Sequence, residues 1–139
     1  MNPAIFSQIN WLAVLVSTIA YFALGAIWYS FLFQKKWIVY TGVNVSDPNA
    51  KKGMAAIMFT SFILMFICVF GLAFLITKFN LHTWMLGVKI GLLTGVCFCA
   101  MAISISYVYE KRAMGLHMIN GAYYIVGNII AGIILCLWK

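Results

Sequence analysis

A chain of 139 residues with 65% hydrophobic and only 8% charged side chains cannot hide its apolar surface in a water-soluble fold of this size. Its net charge of +7 would point to nucleic acid in a soluble protein. Here the basic residues flank long apolar runs, where lysine and arginine orient membrane spans, so nucleic acid is excluded as a partner.

The first run covers residues 9–33. No basic residue precedes it, it is too long for a signal-peptide core, and no small-x-small cleavage site follows before Lys35, so it is expected to stay as a span. The connection 34–53 carries the turn formers Gly42, Asn44, Ser46 and Asp47. Asp47-Pro48 reads as a helix cap followed by proline at the first helical position, which predicts that the second helix begins near Pro48. Lys35, Lys36, Lys51 and Lys52 are expected at lipid headgroups, which attract each basic residue by about 1 kcal/mol.

Runs 54–77, 84–109 and 116–138 complete a set of four, each about the 20 residues needed to cross the hydrocarbon. Backbone groups in lipid must bond internally, and no alternating barrel pattern is present, so the fold class is all-α. The short connections 78–83 and 110–115 make neighbours antiparallel. The expectation is one domain over residues 1–139, an integral membrane bundle of four transmembrane helices running up-down-up-down.

Basic residues sort by side. Lys35, Lys36, Lys51, Lys52, Lys111 and Arg112 fall on one face, and Lys78, Lys89 and Lys139 on the other. This bias predicts cytoplasmic first and third connections, with both termini outside. Trp11, Trp84 and Trp138 would mark the outer boundary, and Trp28, Tyr29, Trp37, Tyr40, Tyr107 and Tyr109 the inner one, since their rings favour interfacial depths.

Two stripes stand out within the spans. Gly87, Gly91 and Gly95 recur every four residues, with Cys99 one step further, and make a smooth face for another backbone. Its partner is a helix of the same chain, or else of a second copy; the protein as a whole is expected to meet membrane lipids and either a second copy or another membrane protein. Gly25 would likewise admit a neighbouring helix beside Trp28 and Tyr29. In the fourth span His117, Asn120, Tyr124 and Asn128 form the most polar face, which serves either interhelical hydrogen bonding or a ligand groove. Lys89 sits where its stem can reach the interface.

Absences bound the chemistry. The acids are Asp47 and Glu110 alone, both in connections, so no intramembrane carboxylate can couple transport to an ion. His82 and His117 belong at opposite faces. Cys68, Cys97, Cys99 and Cys136 lie inside apolar spans, where they read as buried small hydrophobes. No catalytic, cofactor-binding or metal site is assigned, and no cofactor is expected. Glu110, Lys111, Arg112 and His117 do gather at one boundary, where Lys111 and Arg112 are further candidates for headgroup contacts.

The strings Asn10-Trp11-Leu12-Ala13 and Gly25-Ala26-Ile27-Trp28-Tyr29-Ser30, with Phe33, Trp37 and the later Gly121-Ala122-Tyr123, resemble the small bacterial membrane proteins grouped as domain of unknown function 1761. The resemblance implies the four-span architecture and a bacterial inner-membrane home, and no catalytic residue. The leading reading is a non-enzymatic membrane protein that packs against itself, a partner or membrane lipids, with a lipid or small hydrophobic ligand between helices. A homo-oligomeric transporter or channel using the fourth span's polar face is second. A membrane enzyme acting on a lipophilic substrate near Glu110, Arg112 and His117 is third.

Overall fold

The computed structural model describes residues 4–138; Lys139, placed by the charge argument on the outer side, lies outside them. Among the described residues every regular element is helical. Four helices are long and apolar enough to cross a membrane: Trp11–Leu32, Met54–Lys78, Trp84–Tyr109 and Met114–Leu137. The chain is a multi-pass membrane protein. Two short helices, Ala4–Gln8 and Gln34–Thr41, were not legible in the sequence.

Local chemistry explains the ends. Asn10 caps the first span by accepting from Ala13 N–H at 3.0 Å, and Thr83 caps the third by accepting from Leu86 N–H at 3.3 Å. The second and third spans stop in the same way. Asn80 (φ 55°) and Lys111 (φ 53°) turn left-handed, while Leu81 N–H donates to Ile76 O and Arg112 N–H to Tyr107 O, each at 3.0 Å. This six-residue closure satisfies carbonyls that a helix end would otherwise orphan.

Pro48 does not start the second helix. Asp47 caps a series of turns instead, accepting from Asn49 N–H at 2.8 Å, and the helix begins at Met54 after the left-handed Gly53. Asp47 therefore braces a turn and caps no helix, because residues 48–53 lack the apolar face that would hold one in place.

The fourth span is the hub. Of its most apolar 18 residues 56% are buried, against 22–33% in the other three. Contact registers between neighbours run against each other. Gly87, Gly91 and Gly95 meet Gly132, Asn128 and Ile125 in turn. Along the first span, Trp28 bonds to Ile119 while Tyr21 bonds to Tyr124; Phe22 packs on Phe62 and Trp11 on Phe70.

Packing is uneven along the bundle axis. In the second span every buried residue lies between Val69 and Ile76, and none between Met54 and Cys68. In the third, burial ends at Ala100, and Met101–Tyr109 contributes none. These loose halves lie at the same end, beside the first and third connections, so the bundle is tight at one end and splayed at the other.

Two π-helical turns interrupt the spans: Gly95–Ala100 marks the transition in the third, and Trp28–Leu32 closes the first at the splayed end. A π turn takes one extra residue. The packed position after Gly95 shifts by one residue: Ala100, 3% exposed, packs against Gly121, while Cys99 lies at the edge of the stripe, its Sγ accepting from Asn128 Nδ2 at 3.6 Å.

Candidate functional site

The splayed end holds a cavity of about 450 Å³. Tyr21, Gly25, Tyr29 and Ser30 of the first span form one wall, and Ser61, Met65 and Cys68 of the second form the opposite one. Cys99 of the third span and Tyr123 and Tyr124 of the fourth close the back. Ile57, Met58 and Leu64 also line it, and all three are well exposed. Both π turns border this space: one supplies Tyr29 and Ser30, and the other supplies Cys99.

Behind the cavity runs a hydrogen-bonded network. Tyr21 Oη donates to Tyr124 O at 3.2 Å and accepts from Asn128 Nδ2 at 3.1 Å. The same amide reaches Tyr124 O at 2.8 Å, and Thr94 Oγ1 stands 3.3 Å from Asn128 Oδ1. One level towards the splayed end, Tyr29 Oη donates to Asn120 Oδ1 at 2.8 Å, and Asn120 Nδ2 donates to Tyr107 Oη at 2.6 Å. His117 stacks edge-on against Tyr107, with ring centroids 5.3 Å apart. Each asparagine thus ties the fourth span to both the first and the third.

The polar face expected from the sequence is therefore brought together through partners on other helices. Tyr21, Tyr29, Thr94, Tyr107 and Cys99 supply the side-chain partners, the last accepting from Asn128 Nδ2 at 3.6 Å. Tyr21 was visible as a lone phenol in the middle of an apolar run, a position that calls for a buried partner. Exchanging Asn128 for leucine removes the bonds to Tyr21 and Thr94 and is expected to cost about 1–2 kcal/mol, near the top of the range for interhelical bonds in lipid. A double-mutant cycle with Tyr21→Phe, read by unfolding in mixed detergent micelles, should show coupling. Strict additivity would count against the bond.

The glycines divide by role. A Cβ on Gly87 would stand 2.5 Å from Gly132 O, one on Gly91 2.6 Å from Ile129 Cα, and one on Gly95 2.8 Å from Ile125 Cα. All three face backbone within this same chain. At Gly25 the neighbour is a side chain of the fourth helix: a Cβ there meets the hydroxyl of Tyr123 at 3.0 Å. Trp28, expected at the inner boundary, lies one turn from the end of its span and packs into the protein. It is buried, with Nε1 donating to Ile119 O at 3.1 Å, because a partner carbonyl on the hub outweighs solvation of the indole at the boundary.

None of the four cysteines forms a disulfide, and only Cys136 is buried; Cys99 is half-buried, while Cys68 and Cys97 are exposed, contrary to the expectation of burial for all four. Lys35, Lys36, Lys51, Lys52, Lys111 and Arg112 are exposed and lie at the splayed end. Arg112 pairs with Glu110 at 2.9 Å. The short helix Gln34–Thr41 lies beneath this end, with Trp37 edge-on to Tyr29 and the Tyr40 ring against Gly115. Among the described residues no group of three or more His, Cys, Asp or Glu side chains could hold a metal ion.

No curated protein and no solved structure matches the chain. A family profile, described as "Protein of unknown function (DUF1761)", matches residues 12–136, nearly the whole sequence, and the chain belongs to that family.

Proposed function

We propose that this is a non-enzymatic inner-membrane protein that holds a lipophilic ligand in the cavity between its spans. The observation that carries the reading is the cavity itself. Its 450 Å³ falls within the 300–1,000 Å³ of small-molecule sites, and it combines apolar walls with a few convergent polar groups. A close-packed bundle would fill such a space with side chains. Here the space between the first and second spans is left open, bordered by the exposed Ile57, Met58 and Leu64, the side from which a hydrophobic ligand would come out of the lipid. The π turns add support, since such turns recur at functional sites.

The same arrangement favours binding over conduction. The amides of Asn120 and Asn128 are occupied by tyrosines, so the fourth span's polar face does not offer a continuous wet path. The opposed registers support an up-down-up-down crossing. The six basic residues at the splayed end favour placing it at the cytoplasm, against anionic headgroups, with the termini outside.

The test is gentle purification followed by native mass spectrometry, which also reads copy number. A lipid or other hydrophobic molecule retained at one per chain is the expected result. Ser61→Trp, at an exposed position on the cavity wall, should abolish its retention while leaving thermal stability unchanged. Equal retention by wild type and Ser61→Trp, or none by either, would falsify the proposal.

A further inference from the structure

Three hydroxyls in the cavity wall set the chemistry of the occupant, an inference that rests on the ligand-binding reading above. Tyr21, Tyr29 and Tyr123 line the space, but their hydroxyls are engaged by protein atoms. Tyr124, Ser30 and Ser61 line it too, and none of their hydroxyls takes part in a hydrogen bond among the described residues. Nor are these hydroxyls sealed inside the protein: the one fully buried unpaired hydroxyl among the described residues is that of Ser17, which does not line the cavity. A hydroxyl at membrane depth finds no acceptor in lipid tails, and leaving it unbonded is costly. The wall therefore presents donors that call for a polar partner inside the cavity.

Charge narrows that partner. Among the described residues no lysine, arginine, aspartate, glutamate or histidine lines the cavity. An ionised carboxylate, phosphate or ammonium placed there would lack a counter-charge and pay the full penalty of desolvation. Shape narrows it again. Rings of Tyr21, Phe22, Tyr29, Tyr123 and Tyr124 make up much of the wall, and flat aromatic surfaces favour a flat ring stacked or edge-on between them.

We propose that the site takes an uncharged lipophile whose head is a flat ring carrying hydrogen-bond-accepting oxygens, the chemistry of a quinone. Its tail would leave between Ile57, Met58 and Leu64 into the lipid, and its ring oxygens would accept from Tyr124, Ser61 and Ser30.

The experiment compares three probes on the full chain in lipid nanodiscs, the quinone read by quenching of intrinsic fluorescence and the other two by competition that relieves that quenching. The probes are a decyl-substituted benzoquinone, decylbenzene and dodecanoate. The quinone is expected to bind at least tenfold more tightly than either comparator. Tyr124→Phe and Ser61→Ala should each weaken quinone binding about three- to tenfold, the worth of one hydrogen bond, and leave decylbenzene unchanged. Because Ser61 is exposed and Tyr124 keeps its ring, neither exchange should alter the melting temperature. Equal binding of quinone and decylbenzene, or insensitivity to both substitutions, overturns the inference and leaves a site selected by lipophilicity alone, its hydroxyls served by water. Preference for dodecanoate also overturns it. Failure of all three probes, with Ser61→Trp still retaining whatever co-purifies, removes the ligand-binding reading itself.

Discussion

Gly91→Leu is expected to force the third and fourth spans apart and to cost the fold about 3 kcal/mol, the upper end for overpacking a fitted interface. The reason is what the added atoms would meet. A Cβ at Gly91 already falls 2.6 Å from Ile129 Cα and 2.7 Å from the carbonyl carbon of Asn128. Backbone cannot rotate aside as a side-chain tip can, so the helices must separate along the stripe that Gly87 and Gly95 share. In lipid that loss is not softened by hydrophobic exclusion, because helix association there depends on close packing. Gly71→Leu supplies the control, since nothing lies within 4 Å of a Cβ at that position. Unfolding by dodecyl sulfate in mixed micelles should rank Gly91→Leu far below Gly71→Leu. Matching curves would sink the assignment of this stripe to the intrachain interface, and a change confined to oligomer size would move it to a contact between copies.

Gly127→Ala is the second severe exchange, although it adds only one carbon. A Cβ there would enter the ring of Tyr21, which is 2% exposed and held by its hydroxyl between Tyr124 and Asn128. The ring has nowhere to go without giving up both bonds. A cost of about 2 kcal/mol is expected from overpacking plus the disturbed polar contacts. Tyr21→Leu is costly alone, but in the Gly127→Ala background it removes the ring that the new methyl strikes. The double variant should be at least ~1 kcal/mol more stable than the sum of the single changes predicts. Additivity within about 0.5 kcal/mol would mean that Gly127 does not exist to seat Tyr21.

These two cases show where sequence reading succeeds and stops. Gly91 is recognisable because small residues every fourth position make a face whatever that face touches. Gly127 is not, because nothing in its own neighbourhood announces a phenol arriving from more than a hundred residues away. Cys99 fits the glycine stripe only if the helix is regular, and a π turn adds a residue that shifts the face. The lone phenol of Tyr21 hints at the network around Asn128, but its partners on two other helices cannot be named from spacing. Ring chemistry assigns Trp28 to the interface, which is sound as a tendency. A carbonyl on the fourth span, that of Ile119, takes its indole N–H instead.

Run length, capping residues and basic flanks are local properties that add up residue by residue. They are enough to establish four apolar helices, their limits to within a few positions, and the solvent around them. The position of the hub, the splay of the second and third spans, and the cavity behind Ser61 and Tyr124 depend on surfaces meeting across the bundle. Such contacts are set by the shapes of several helices at once, so no single stretch of residues encodes them.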